Sequence, residues 1–278
     1  MSQQLNLLAP TKPKPVTKPK GCSLIYEPRG RAREYAQLAC NVYRGCGHGC
    51  KYCFAPKATF RQREQFVNAT SRPNFLPKLE KEAAKYQAAG VTGKVLLSFT
   101  TDPYQHLDVE EQVTRRAIEI LHAHGLHVQI LTKGGSRALR DRLLLGPDDA
   151  FATTLTCLDN EQSLKWEPGA ALPANRIATI KRFHAAKIPT WVSLEPVLNA
   201  STALQIIRET HAFVDSFKIG TLNYHPHAKS IDWAMFARDV IDLLMSLGYH
   251  ECRDPDTFGV GDFYIKDDLW AHLTNNAR

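Results

Sequence analysis

Residues 38–54 read Leu-Ala-Cys-Asn-Val-Tyr-Arg-Gly-Cys-Gly-His-Gly-Cys-Lys-Tyr-Cys-Phe. The apolar start, Leu38–Tyr43, has strand character and runs into the spacing Cys46-x3-Cys50-x2-Cys53. Gly45, Gly47 and Gly49 are expected to supply the backbone angles that such a wrap requires. Soft thiolates select iron–sulfur clusters, zinc or Cu(I). A [4Fe–4S] cluster usually takes four cysteines. Three leave one iron open to an exogenous ligand, as a catalytic cluster needs. A structural zinc site is the competing reading, with Cys40 or His48 as fourth ligand. Such sites usually present two CxxC-like pairs, and no second pair follows.

Outward from this loop, apolar runs of strand length alternate with amphipathic stretches. Strands are predicted at Leu38–Tyr43, Lys94–Phe99, His127–Thr132, Phe151–Thr156, Thr190–Leu194 and Phe213–Ile219. Helices are predicted at Pro77–Ala89, Val109–His124, Ser136–Leu144, Pro173–Ala186, Ser201–Thr210 and Ile231–Leu247. Val109, Val113, Ala117 and Leu121 share one face of the second helix, with Asp108 as cap and Glu111 completing a capping box. Six strand–helix units imply parallel pairing with right-handed crossovers. They are too few for an eight-fold barrel. The fold class is therefore α/β, a partial (β/α)6 TIM-type barrel with the cysteine loop after its first strand, on the C-terminal face where such barrels keep their chemistry.

The chain has 278 residues and a net charge of +7. Residues 1–21 form a Pro/Lys-rich basic tail, 22–250 the barrel and 251–278 an extension packing on it, with Asp262–Lys266 as one more strand. No apolar run is long enough to span a bilayer, and no secretory signal is legible, so a cytoplasmic monomer with no membrane partner is expected. Seven cysteines, an odd number, argue against a disulfide framework. Cys157 and Cys252 stand alone. The positive charge favours nucleic acid as substrate. Phe60, Arg61, Arg63 and Phe66 are scattered aromatic and basic residues beside the cluster loop.

The Cx3Cx2C loop, with Tyr52 before its last cysteine, resembles the radical S-adenosylmethionine (radical SAM) superfamily. NVYRGCGHGCKYCFA, SFTTDPYQ (98–105), LTKGG (131–135) and KIGTLNY (218–224) resemble more narrowly the spore photoproduct lyase-like proteins, often labelled DNA repair photolyase-like. The resemblance implies that Cys46, Cys50 and Cys53 hold a [4Fe–4S] cluster whose open iron chelates SAM. Reductive cleavage then yields a 5′-deoxyadenosyl radical that abstracts hydrogen from substrate. The electron would come from a reductant such as flavodoxin or ferredoxin. Tyr52 would lie beside the adenine, Thr100, Thr101 and Asp102 would reach the methionine part, and Lys133 would contact the SAM carboxylate. Thr154 would be a further cofactor-side residue.

Glu195, ending the fifth strand, is expected to face SAM or substrate, with Lys218 as its partner. Asn223, Tyr224 and His225 are candidates for the substrate side. One departure matters. Spore photoproduct lyases proper use a cysteine near the second strand end as hydrogen donor, and Lys94–Asp102 contains none. Cys157 is the remaining stand-in. The rival function is a non-catalytic zinc or iron–sulfur nucleic-acid-binding protein.

Overall fold

The computed structural model describes residues 17–223 and 225–275. Most of the predicted tail, and Tyr224, lie outside the described residues. The strands, in chain order, are β1 (Ile25–Tyr26), β2 (Leu38–Cys40), β3 (Tyr43–Arg44), β4 (Thr70–Ser71), β5 (Lys94–Leu97), β6 (His127–Thr132), β7 (Ala150–Thr154), β8 (Thr190–Leu194), β9 (Ser216–Ile219), β10 (His250–Glu251) and β11 (Asp262–Ile265). The main sheet has the order β1-β2-β5-β6-β7-β8-β9-β11-β10. Pairing is parallel throughout except at the β1–β2 edge. The six strands predicted from the sequence form its centre. Asp262–Ile265 adds to them by pairing in parallel with β9.

Strand parity divides the core in two. Leu38, Cys40, Val95, Leu97, Val128, Ile130, Phe151, Val192, Phe217 and Ile219 point to the helical layer and join the large core cluster. Ala39, Leu96, Ala150, Ala152 and Trp191 point the other way and pack around Tyr35 in a smaller cluster. Burial on both faces explains why β7 and β8 carry no exposed residue. On the inner face, register lines up Thr154, Ser193, Lys218 and Tyr264 across four neighbouring strands. Helix Asn160–Trp166 is capped by Asp159, Ala200–Thr210 by Asn199 and Trp233–Ser246 by Asp232, each carboxylate or amide oxygen accepting a backbone N–H. No described helix is long and apolar enough to cross a membrane.

Two predicted elements are interrupted. The helix expected over Val109–His124 is two segments, Leu107–Glu111 and Val113–Ala123, separated by Gln112 at φ 49°. Asp108 does not cap the first turn. It is buried, accepting from the Tyr43 hydroxyl at 2.5 Å and from Arg140 at 2.7 Å, and it caps the second segment through Thr114 N–H at 2.9 Å. A buried carboxylate needs those donors, and the break delivers them. Likewise Leu38–Tyr43 is not one strand. After Cys40 the Asn41 side chain accepts the N–H groups of Phe99 and Thr100, and Tyr43–Arg44 leaves to pair with β4.

Candidate active site

The C-terminal ends of the parallel strands surround a cavity of about 450 Å³. Its lining includes Cys46, Cys50 and Cys53 together with Tyr52, Thr100, Thr101, Asp102, Lys133, Thr154 and Glu195. The ten residues assigned from the sequence to the cluster and its SAM side therefore share one space. Much of the lining comes from the C-terminal ends of β5, β6, β7, β8, β9 and β11 and the segments after them, joined by the cysteine loop after β3 and by Arg29, Arg31, Ala32 and Tyr35 from the segment between β1 and β2.

The cysteine loop is held from behind. Cys46 N–H donates to the Phe66 carbonyl at 2.9 Å, and Arg63 donates to the carbonyls of Cys50 and Cys53 at 2.7 and 3.0 Å. Gly45 has φ 81°, and a Cβ there would lie 2.4 Å from the Phe66 carbonyl oxygen. Gly49 also has a positive φ, at 62°. Gly47 differs from expectation: its φ is ordinary, and its N–H donates to Gln105 at 2.7 Å. Burial pushes all three thiols up, Cys50 to about 12. A metal must therefore displace protons to bind there.

The two residues offered as a fourth zinc ligand are otherwise engaged. Cys40 is in the main core, its thiol pushed up to about 12 by burial. His48 presents Nδ1 to Asp102 at 3.4 Å and Nε2 to Arg137 at 3.0 Å.

Asp102 is held by the protein through both oxygens. One oxygen accepts from Tyr104 N–H and the Thr132 hydroxyl, at 2.9 and 2.6 Å. The other accepts from Lys133 N–H at 2.8 Å and faces His48. Burial alone would raise this carboxyl, but His48, Thr132 and the Lys133 N–H outweigh it and hold it well below the usual range. Three hydrogen bonds and the nearby His48 ring engage both oxygens, so Asp102 fixes the loops to one another. Thr101 donates to the Gly45 carbonyl at 2.5 Å, joining the second strand end to the cysteine loop. By contrast, the hydroxyls of Thr100 and Thr154 and the ammonium of Lys133 have no hydrogen-bond partner among the described residues. Lys133 sits 5.7 Å from the centre of the Tyr52 ring. Burial opposes its charge, but Cys50 and Glu167 outweigh that and keep it an ammonium.

Glu195 has a different partner from the one expected. It accepts from Lys266 at 2.7 Å and from the Tyr35 hydroxyl. Lys218 instead donates to the Glu34 carbonyl at 2.6 Å, among the rings of Tyr35, Trp191, Phe258 and Tyr264. Both lysines point inward by strand parity, and Lys266 lies nearer the C-terminal end, where Glu195 is. Asn223 lines the cavity and bonds to Asp268. His225 does not line it and packs edge-on against Trp166. Cys157 is buried beside Thr156 and does not line the cavity either.

Sequence reasoning missed Tyr35, Lys266 and the pair Glu167–Arg176. Glu167 and Arg176 are fully buried, and Glu167 also accepts from the hydroxyls of Tyr52 and Thr156. Nothing in local periodicity marks such residues. Lys266 alone carried a signal, as a cation ending an apolar strand.

A parallel sheet open at both edges, with its polar groups over the C-terminal strand ends, defines a partial (β/α) barrel made to hold a cofactor. The profile of the Radical SAM superfamily matches residues 40–199, and the chain belongs to that superfamily. The cofactors of that superfamily are a [4Fe–4S] cluster and SAM. An uncharacterized protein of Mycobacterium tuberculosis is 32% identical over 169 residues, covering 57% of this chain and 48% of its own length. The chain thus spans about half the length of the mycobacterial relatives it matches. An uncharacterized protein of Methanocaldococcus jannaschii is 25% identical over 191 residues, 68% of this chain and 71% of its own. Among solved structures, a spore photoproduct lyase mutant with AdoMet and dinucleoside spore photoproduct bound matches with TM-score 0.60 at 14% identity, over 82% of this chain and 76% of its own. Streptococcus suis SuiB bound to S-adenosylmethionine also has TM-score 0.60, at 12% identity, over 85% of this chain and 52% of its own. These identities speak to fold alone.

Proposed function

We propose that Cys46, Cys50 and Cys53 hold the cluster and that SAM lies between their loop and the ends of β5, β6 and β7. The observation that carries this reading is the common cavity of the three thiols and the unpartnered Thr100, Thr154 and Lys133 groups. The donor set fits: three thiols on a loop whose Gly45 and Gly49 backbone accommodates the wrap. When bound and reduced, the cluster supplies one electron to the SAM sulfonium, releasing a 5′-deoxyadenosyl radical that abstracts hydrogen from substrate. Lys133 would pair with the SAM carboxylate, and the two threonines with its polar groups. Tyr52 would bound the adenine side, its hydroxyl fixed by Glu167. Asp102 would act by positioning Lys133.

For substrate, nucleic acid is the class we favour. Arg29 and Arg31 line the cavity at its exposed mouth, and the chain carries +7 overall. The structural relative solved with a dinucleoside supports the same class. Thiol-mediated dimer repair is not part of the reading, because no cysteine besides the three lines the cavity. The reading includes a cytoplasmic monomer fed by an external one-electron reductant. Anaerobic reconstitution followed by a 5′-deoxyadenosine assay, with and without single-stranded DNA or RNA, tests it. Stimulation by one polymer is expected. A rate indifferent to both would remove nucleic acid as substrate.

A further inference from the structure

From Arg44 to Arg63 the chain carries Arg44, Lys51, Lys57, Arg61 and Arg63 and not one Asp or Glu. Arg44, Lys51, Lys57 and Arg63 are exposed. Among them Phe60 is 98% exposed, an aromatic ring given wholly to solvent. None of these residues lines the cavity, although Cys46, Cys50 and Cys53 do. The backbone of the cysteine loop separates the two sides. The thiols face the cavity, while the outer side of the loop meets Phe66, Arg61 and Arg63. Arg63 spans the remaining depth, with its guanidinium on the carbonyls of Cys50 and Cys53 and its side chain at the surface.

We propose that the solvent side of the cysteine-loop segment, which presents Phe60, Lys51, Lys57 and Arg44, docks an acidic one-electron carrier protein. The proposal rests on the cluster assignment above. Charge complementarity chooses the partner's sign: a segment with five cations from Arg44 to Arg63, followed by the single exposed carboxylate Glu64, is net cationic, accelerates encounter with an acidic protein and repels a basic one. Position chooses its job. A partner here is one side chain from the ligand cysteines and leaves the cavity open, so donor and substrate can be bound together. A nucleic acid on this face would lie behind the loop and could not present a base to the cavity. Small electron-transfer interfaces need little apolar area, and one exposed ring in a segment of exposed cations suits that class.

The test compares the parent with a variant carrying Lys51→Glu, Lys57→Glu and Phe60→Ser, both reconstituted and matched for iron content. SAM cleavage is driven either by an acidic flavodoxin with its reductase or by dithionite. Flavodoxin binding is also measured directly, between about 0.05 and 0.3 M salt. The expected result is a flavodoxin-driven rate lower by about tenfold or more in the variant, with the dithionite rate unchanged. Parent binding should weaken with salt, and the variant should bind weakly at any salt. Equal flavodoxin rates, or equal binding, overturn the proposal. Parallel loss of both rates overturns it too, because the surface then serves the cluster and not the carrier. Loss of single-stranded DNA affinity with carrier binding intact would reassign the face to a polyanion. Should the parent fail to cleave SAM with dithionite, the enzyme reading falls, while the binding measurement still decides the surface.

Discussion

The hydroxyl of Tyr52 donates to the carboxylate of Glu167, which ties the cysteine loop to a buried ion pair 115 residues further along the chain. The other carboxylate oxygen of Glu167 is held by Arg176, and Arg176 also donates to the Thr154 carbonyl at 2.8 Å. Cluster loop, fourth strand end and the helix Pro173–Ala185 are thereby locked together.

Breaking that pair from one side strands a charge. Glu167→Ala leaves Arg176 buried without its counter-ion, which costs about 3–5 kcal/mol. Tyr52→Phe removes one hydrogen bond to a charged acceptor, about 1.5–3 kcal/mol, and leaves the pair intact. Urea denaturation of the two variants should show that order. A Tyr52→Phe loss equal to that of Glu167→Ala would mean the hydroxyl, and not the ion pair, is the anchor.

The glycines of the loop should behave unequally. Gly45→Ala forces a Cβ to within 2.4 Å of a carbonyl oxygen at φ 81°, so iron incorporated on reconstitution should fall steeply. Gly47→Ala meets nothing closer than 3.7 Å and should retain iron near the parent level. Iron analysis of the purified variants checks both, and equal retention would show that the loop wraps differently.

Lys218 should leave a signature in the pH dependence of stability. Burial, with help from Lys266, pushes it down to about 7. An unfolded lysine titrates near 10.4. Between those values the unfolded chain holds a proton that the folded chain has released, so stability rises with pH. The penalty is complete below the folded value and gone above the unfolded one. Lys218→Met lacks this rise. The stability of the parent relative to the variant should therefore climb from about pH 6 to pH 9, read by denaturation midpoints. A pH-independent difference would contradict the burial argument.

The strand–helix alternation was readable because each strand keeps a buried apolar row toward the helices and each helix an apolar face toward the sheet. The cysteine spacing was readable because the ligand-type residues are local. What local pattern could not give was the price of burying Asp108, which splits a helix at Gln112 that looks continuous in periodicity. Nor could it rank Lys218 against Lys266 as partner to Glu195, since both point inward and only their height along the strands separates them. Glu167 and Tyr35 were invisible for a related reason. Each acts through a residue on another element, and a sequence shows no distance between elements.

The central claim is that the Cys46, Cys50 and Cys53 thiols hold a cluster that cleaves SAM. Its most direct test is 5′-deoxyadenosine production by anaerobically reconstituted protein under dithionite, for the parent and for Cys46→Ala, Cys50→Ala, Cys53→Ala and Cys157→Ala. Product is expected from the parent and from Cys157→Ala, and none from the other three. Product from any of those three, or none from the parent with four irons bound per chain, as a [4Fe–4S] cluster requires, would contradict it.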